Sequence, residues 1–432
     1  MIPVHEILNL AEVQRTVEEV VERAAVIDIH THLYPPSFGA LCLWGIDELL
    51  TYHYLIAELF RSAKVSPRQF WSLTKREQAD LIWDTLFVKN TPLSEATGGV
   101  VTAMKRLGLD PSQPNLEEAR RYFASLDLDR HVEHVLELAN VSELVMTNDV
   151  FNAQERALWE TNTPCPARFR RSLRLDPLLN NWESTHSLIA AQGFESSAEL
   201  SPRSITGARR FLDLWISRLR PVYAAVSLPF NFSYPEDSAR AQLLREVVFP
   251  TCLAHDLPFA MMIGVARGVN PELRDAGDSL GYADTTVVER ICRENPDVRF
   301  LVTMLARENQ HALCVAARKF SNLMPFGCWW FMNTPSIVEE ITAERLGLLG
   351  ATFIPQHSDA RILEQLVYKW AHARRAIARA LNQSYFRLHA EGYRLTRDMI
   401  VADVERMFSG NFRGWVGLAE AEGREAGAGM RP

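Results

Sequence analysis

Short apolar runs, separated by stretches with helical periodicity, dominate the hydrophobic pattern of the chain. Each run is rich in β-branched residues and is bounded by turn or helix-start signals, which is typical of buried strands. The runs span residues 25–30, 143–148, 170–176, 222–229, 258–265, 298–305, 323–328 and 351–359. Strands that alternate with helices indicate a parallel sheet. We therefore predict an α/β fold, and eight such units favour a (β/α)₈ TIM-type barrel with its active site at the carboxyl ends of the strands. A doubly wound open sheet is the alternative, but no G-x-G-x-x-G follows the first run.

One interval is too long for a single barrel helix. Residues 35–140 read as several short helices, so we predict an inserted helical subdomain after strand 1, with either a packing role or the role of a lid over the barrel mouth. The same hydrophobic pattern predicts the segments on either side of this insertion. We expect an N-terminal helix over 1–24, the barrel over 25–382, and a C-terminal helical extension over 383–432 with a frayed tail.

Composition and charge exclude several classes of protein. The 432 residues are 47% hydrophobic and 23% charged, with a net charge of −7 and no Lys/Arg-rich tract, so we predict no nucleic-acid partner. No apolar run reaches membrane-spanning length, which predicts no membrane partner. The six cysteines are scattered without a C-x-x-C pair, and the acidic, amphipathic N-terminus is unlike a secretory signal. These features favour reduced thiols and a cytoplasmic location.

Two histidines stand one residue apart where the first apolar run ends. Side chains at i and i+2 of a strand point to the same face, so His30 and His32 can offer ring nitrogens to one metal ion. In a closed barrel the eighth strand is a neighbour of the first, which brings Asp359 beside them. Two imidazoles and a carboxylate predict a catalytic site for one divalent metal; such a set accepts Zn, Mn, Fe or Ni, and zinc is favoured. We expect His357 to be structural rather than a ligand, and the middle runs offer no Lys or His for a second ion.

Five short motifs resemble those of one enzyme family. In order along the chain they are "DIHTHL", "TYHYL", "RLDP", "GCWWF" and "DAR". The sequence from Asp28 to Arg361 is in this respect similar to the uronate isomerases, a branch of the amidohydrolase superfamily. The resemblance implies interconversion of D-glucuronate or D-galacturonate with the corresponding ketose, on a (β/α)₈ barrel that holds one divalent metal ion.

The resemblance also implies roles for individual positions. The positions of the family's metal ligands correspond to His30, His32 and Asp359. The positions of the family residues that act on the substrate correspond to His53 and Tyr54 in the first inserted helix, Arg174 at the end of strand 3, the paired Trp329 and Trp330, and Arg361.

Each implied role has a chemical reason. Aldose–ketose isomerisation passes through an enediol, so a metal ion with the nearby Arg361 would stabilise developing charge on oxygen. Tyr54 is a candidate proton shuttle if the metal or Arg361 lowers its pKa, and Asp359 is the rival base. Arg174 offers a planar fork for the sugar carboxylate. Tryptophan faces cover a sugar ring and exclude water, but adjacent residues of a strand face opposite ways, so we expect Trp330 in the core.

The chain departs from the family at two positions. Where the family carries Asp-His-Gly, this sequence has Ser227, Leu228 and Pro229, and Met262 stands in place of a strand histidine. The loss of two polar positions suggests a less polar substrate, altered chemistry or lost activity.

Three hypotheses therefore compete. The first is a metal-dependent isomerase of a uronate or a related acid sugar. The second is a mononuclear metal-dependent hydrolase of an ester, lactone or amide, with Asp359 as general base. The third is a catalytically silent protein that binds a sugar acid. In each case the partner is a small acid sugar or a related small molecule, and we expect a homo-oligomer because such barrels commonly form symmetric assemblies.

Overall fold

A curled parallel sheet forms the centre of the computed structural model, which describes residues 7–418. Its strands are β1 (Val26–Thr31), β2 (Val141–Asn148), β3 (Phe169–Arg174), β4 (Ala224–Pro229), β5 (Phe259–Ala266), β6 (Ser279–Leu280), β7 (Phe300–Met304) and β8 (Leu323–Pro325). The order in the sheet is β1-β2-β3-β4-β5-β7-β8, with every one of these pairs parallel, and the two-residue β6 is antiparallel to β5.

Residues 354–360, the closing segment, join the two ends of this sheet. On one side, Ile354 N donates to the Pro325 carbonyl at 3.1 Å and Gly327 N donates to the Ile354 carbonyl at 2.8 Å. On the other side, Asp359 N donates to the His30 carbonyl at 3.1 Å and His32 N donates to the Ala360 carbonyl at 2.7 Å. The segment therefore occupies the eighth position of a closed barrel, although it is not a regular strand.

Helices surround the barrel and fill the interval after β1. Before and within that interval lie α1 (Leu10–Arg23), α2 (Ile46–Leu50), α3 (His53–Ser62), α4 (Pro67–Trp71), α5 (Lys75–Trp83), α6 (Glu95–Arg106), α7 (Glu117–Ala124) and α8 (Leu128–Ala139). The later helices are α9 (Ala153–Glu160), α10 (Asp176–Asn180), α11 (Trp182–Ala191), α12 (Pro202–Leu219), α13 (Ala239–Leu243), α14 (Phe249–Ala254), α15 (Thr285–Glu294), α16 (Gln310–Ala317), α17 (Pro335–Leu349), α18 (Gln365–Ala390), α19 (Arg397–Glu405) and α20 (Asn411–Val416).

Both faces of the strands are buried, which explains why the runs are apolar throughout. Residues that pack together inside the barrel alternate with residues that pack under the surrounding helices. The inner set includes Ile29, Ala225, Ala260, Leu301 and Met324. The outer set includes Leu144, Val226, Met261, Ile263 and Val302.

The predicted TIM-type barrel is confirmed, and the open-sheet alternative is wrong. Every apolar run that we expected to be a strand takes its place in the barrel, the last of them as the closing segment. The helix α18 runs from residue 365 to residue 390. The predicted boundary between the barrel (25–382) and the C-terminal extension (383–432) therefore falls inside one helix. The predicted tail, residues 419–432, lies outside the described residues.

Two further observations bear on the expected class of protein. None of the helices between residues 7 and 418 combines the length and apolarity needed to cross a bilayer. All six cysteines are free thiols.

Candidate active site

Three predicted ligands converge where β1 meets the closing segment. His30 lies near the end of β1, His32 follows the strand, and Asp359 comes from the closing segment. Their ligand atoms all lie within 4.8 Å of one another. Asp359 Oδ1 lies 3.3 Å from His32 Nε2 and 3.8 Å from His30 Nε2. This is the spacing expected of groups that share one ion.

The protonation states of this cluster suit a metal ion. Burial lowers the pKa of His30 to about 3 and that of His32 to about 4, so both imidazoles are neutral at pH 7. Burial acts to raise the pKa of Asp359, but its interactions with the two histidines and Lys369 outweigh this and hold it below its ordinary value. The buried Asp359 Oδ1 has no well-aligned hydrogen-bond donor. Two neutral nitrogens and an ionised oxygen fit a divalent cation.

A tyrosine on the far side of the barrel orients His30. The Tyr223 hydroxyl donates to the Ile29 carbonyl at 2.6 Å and lies 3.3 Å from His30 Nδ1. Because its hydrogen is committed to the carbonyl, the hydroxyl oxygen is left to accept from Nδ1–H. This tautomer keeps the lone pair of Nε2 directed at Asp359, as a metal ligand requires.

Asp28 holds the closing segment in position. Its carboxylate accepts hydrogen bonds from Ser358 N at 3.0 Å and from Trp370 Nε1 at 2.8 Å. Asp359 follows with a φ of +51°, in the left-handed region that few residues other than glycine adopt. Such a conformation persists only when the surrounding contacts enforce it, and here it directs the Asp359 side chain towards the histidines.

The three ligands open into a small cavity of about 20 Å³ at the carboxyl ends of the strands. Its walls combine predicted and unpredicted residues: His30, His32, His53, Thr147, Arg174, Ser227, Met262, Arg267, Trp329, Trp330, Asp359 and Arg361. The structure therefore brings together all the predicted site residues except Tyr54, which does not line the cavity and packs against His53.

His53 and Tyr54 begin the inserted helix α3 and differ in their access to the cavity. His53 lines it, and its Nε2 atom is buried without a hydrogen-bond partner. Burial lowers the pKa of His53 to about 3, so the ring is neutral. Burial raises the pKa of Tyr54 well above its ordinary value, and the opposing effect of Arg361 is smaller. The structure thus gives the opposite direction to the lowered Tyr54 pKa that we considered from the sequence.

The two predicted arginines approach the cavity from different sides. Arg174, the last residue of β3, donates to Asp176 at 2.9 Å. Burial acts to lower the pKa of Arg174, but the Asp176 carboxylate raises it above its ordinary value, so the guanidinium is charged. Arg361 is anchored by its backbone, whose N–H donates to Gln365 Oε1 at 2.9 Å, while its buried Nε atom has no protein partner. Both cations are therefore positioned to meet an anionic ligand.

Both tryptophans line the cavity, and Trp330 also packs in the buried core, where we expected it. They do not lie on a strand: β8 ends at Pro325, and Trp330 has a φ of +48°. This backbone conformation breaks the alternation of faces on which the expectation depended. The Trp330 ring lies 5.8 Å from the ring of His53 and 5.6 Å below the Arg267 guanidinium.

His357 stands outside the ligand cluster. It is fully buried, and its ring packs edge-to-face on His30 with 5.4 Å between the ring centroids. Gly327 makes room for this ring, because a Cβ atom there would lie 1.8 Å from His357 Nδ1. Packing against His30, without a place among the ligands, agrees with the structural role that we expected.

Sequence reasoning missed several residues of the site. Tyr223 gave no signal, because its partner His30 lies on another strand. Arg267 stands in "GVARGVN", just after β5, and lines the cavity while it forms an ion pair with Asp278. Thr147 is the polar residue near the end of β2. The last two occupy strand ends, where polar residues after an apolar run are the available signal.

The departures from the family pattern also face the cavity. Ser227 of β4 and Met262 of β5 both line it, beside Arg174 and Arg267. The substitutions seen in the sequence therefore change the wall of the candidate site and not a distant part of the barrel.

Comparison with known proteins places these features in context. No protein-family model and no curated protein matches the chain. Among solved structures, a uronate isomerase from Bacillus halodurans is 50% identical, with a TM-score of 0.94 over 96% of this chain and 98% of that one. A uronate isomerase from Thermotoga maritima (13% identity, TM-score 0.76, 95% of this chain and 100% of that one) shares the fold. So does a glucuronate isomerase from Caulobacter crescentus (14% identity, TM-score 0.74, 96% of this chain and 95% of that one). The sequence identity to the first of these, over nearly the whole length of both chains, shows that this chain belongs to the uronate isomerase family.

Proposed function

We propose that this protein is a metal-dependent aldose–ketose isomerase that acts on D-glucuronate, D-galacturonate or a closely related acid sugar. One observation carries the proposal: in a chain 50% identical to a uronate isomerase, three metal-ligating groups share a cavity with His53, Arg174 and Arg361. We assign one divalent metal ion, with zinc favoured, to His30, His32 and Asp359.

The reaction requires a proton to move between adjacent carbon atoms. A bound divalent cation would supply Lewis-acid stabilisation of negative charge on the substrate oxygens. Asp359 is ionised and removes the proton from C2 while O1 gains a proton, which gives the enediol. Delivery of a proton to C1 and loss of the proton on O2 then complete the ketose. The raised pKa of Tyr54 and its absence from the cavity lining favour Asp359 over Tyr54 as the base.

The remaining residues bind and orient the substrate. Arg361 stabilises the developing negative charge beside Asp359, and Arg174 pairs with the sugar carboxylate. His53 is neutral and presents an unpartnered Nε2 atom to a substrate hydroxyl. Trp329 and Trp330 exclude water from the enediol.

We also propose the wider setting of the enzyme. The six free cysteines agree with a reducing, cytoplasmic location. The helices between residues 35 and 140 bring His53 to the cavity wall, so we propose that this insertion completes the active site as well as packing on the barrel. A homo-oligomer remains our expectation for the assembly.

Proton exchange tests the proposed reaction. Purified protein of known metal content is incubated with D-glucuronate and with D-galacturonate in D₂O, and the carbon-bound protons are followed by NMR. The expected result is ketose formation with deuterium incorporation at C1 of the ketose, and at C2 of the aldose that re-forms from the enediol. Metal-loaded protein that exchanges no proton but cleaves an ester, lactone or amide would support the hydrolase alternative. Binding of uronates without either reaction would support the silent binding protein.

A further inference from the structure

A larger pocket adjoins the cavity that holds the metal ligands. This outer pocket has a volume of about 440 Å³ and shares Arg174, Ser227 and Arg267 with the cavity. A cavity needs about 10–15 Å³ of such volume to hold one water molecule, so the inner cavity of about 20 Å³ has room for an ion or a water molecule and not for a sugar. A hexuronate whose C1 and C2 reach the metal ligands must therefore extend into the outer pocket.

Two buried acceptors in the outer pocket have no donor from the protein. Asp176 Oδ2 and Asn180 Oδ1 are both buried without a hydrogen-bond partner, and both residues line the pocket. They are the first and last residues of the short helix α10, four positions apart, so they lie on one face of it. Buried polar atoms in proteins are normally paired, so two unpaired acceptors on one face indicate donors that come from a ligand.

The second polar atom of each side chain fixes the orientation of the free acceptor. Arg174 donates to Asp176 Oδ1 at 2.9 Å, which leaves Oδ2 available. Asn180 Nδ2 donates to the Ser227 carbonyl at 2.9 Å, so the amide presents Oδ1 as an acceptor. Both acceptors are thus held in place before a ligand arrives.

We propose that Asp176 and Asn180 form a hydroxyl-binding subsite for the C4 and C5 hydroxyl groups of the acid sugar. The inference rests on the proposed function and deepens it, because it names the residues that select the distal hydroxyls. Arg174 lines both compartments, and C5 and C4 are the carbon atoms next to the C6 carboxylate that we assign to it, so their hydroxyl groups come close to Arg174 and its neighbours on α10. Hydroxyl groups are hydrogen-bond donors, as the two orphaned acceptors require. The subsite places polar groups beside Ser227, one of the positions where the family pattern is lost.

Substrates that lack one hydroxyl test the subsite directly. We would measure KM and kcat for D-glucuronate, 4-deoxy-D-glucuronate and 5-deoxy-D-glucuronate with wild-type protein, Asn180→Ala and Asn180→Leu. Each variant should raise KM for D-glucuronate about five- to tenfold, the effect of one lost hydrogen bond. For the analogue that lacks the contacted hydroxyl, the variants and wild type should have the same KM. An equal loss on all three substrates would overturn the proposal, since a purely structural effect does not depend on the hydroxyl.

Asn382→Ala is the matched control. Asn382 is also a buried asparagine whose Oδ1 has no hydrogen-bond partner, but it lies on α18 and lines neither pocket. It should leave the ratio of KM values among the three substrates unchanged. A change as large as that of Asn180→Ala would also overturn the subsite.

The outcome for the subsite is separable from that for the reaction. Wild-type protein that isomerises neither D-glucuronate nor D-galacturonate contradicts the proposed function. Calorimetric titration of the same three acids into wild type and Asn180→Ala then tests the subsite alone. The subsite is supported if the variant binds D-glucuronate more weakly than wild type does but binds one of the deoxy acids with unchanged affinity. It is overturned if, for each of the three acids, the variant and wild type have the same affinity.

Discussion

The Tyr223 hydroxyl lies 3.3 Å from Nδ1 of His30 and donates its own hydrogen to the carbonyl of Ile29. It can therefore only accept from the imidazole, and it leaves Nε2 of His30 free to bind a metal ion. A buried phenol that makes these two contacts orients the ligand without touching the substrate.

Tyr223→Phe should consequently weaken metal binding while the barrel stays folded. Loss of a group that orients a metal ligand typically lowers affinity by about ten- to a hundredfold. Competition with a chromophoric zinc chelator measures the change. Tyr385→Phe is the control, because Tyr385 also donates from a buried position, to Asp403 at 2.9 Å, on the outer helices. Equal affinity of Tyr223→Phe and wild type would contradict this role of Tyr223.

Asp359→Asn should lose both metal and turnover. The substitution removes the charge that pairs with the cation and the base that we assign to the reaction. Elemental analysis should find about one zinc-class ion per wild-type chain and clearly less in the variant. Chelation of wild-type protein should abolish isomerisation, and added metal should restore it. Full activity of chelated, metal-free protein would rule out metal dependence.

Arg174→Met should raise KM for a uronate by about ten- to a hundredfold and affect kcat less. A hydrogen bond to a charged group contributes about 1.5–3 kcal/mol, and the methionine removes it without removing the bulk of the side chain. Steady-state kinetics with D-glucuronate measures both constants. Arg170→Met, on the same strand, is the control, since Arg170 pairs with Glu143 and lines neither pocket. Equal effects of the two substitutions would argue against a carboxylate contact by Arg174.

Arg361→Met should act mainly on kcat. Removal of one group that stabilises an oxyanion in a transition state costs about a hundred- to a thousandfold in rate. The rate of deuterium incorporation at C2 should fall by a similar factor, because the enediol is the species that loses stabilisation. A rise in KM with an unchanged exchange rate would instead assign Arg361 to substrate binding alone.

Glu364→Ala should destabilise the protein by about 3 kcal/mol, because it leaves a buried histidine without its partner. The Glu364 carboxylate is fully buried and accepts from His131 Nε2 at 2.8 Å and from Gly45 N at 3.0 Å, which ties the helical insertion to the chain just after Arg361. Urea denaturation measures the loss.

The matched comparison for Glu364→Ala is Glu344→Ala. Its partner His311 is 71% exposed, so solvent screens the pair and little stability should be lost. Equal destabilisation by the two substitutions would mean that burial of the His131–Glu364 pair contributes nothing.

The sequence by itself determined the barrel and the three residues that we propose as metal ligands. Apolar runs of strand length indicate strands that are buried on both faces. The two-residue spacing of His30 and His32 indicates that their side chains share one face of a strand. Both patterns depend only on local backbone geometry. The position of Asp359 followed once the barrel was assumed to close.

Only the tertiary structure decided the features that depend on contacts between distant segments. The orientation of His30 by Tyr223, the left-handed backbone at Trp330 that turns both tryptophans to the cavity, and the direction of the Tyr54 pKa all arise from packing. The same holds for Asp176 and Asn180: their types are common on any helix, and only the fold shows that each has one acceptor buried without a donor. Burial and the pairing of polar atoms are properties of the assembled chain, so local pattern carries no record of them.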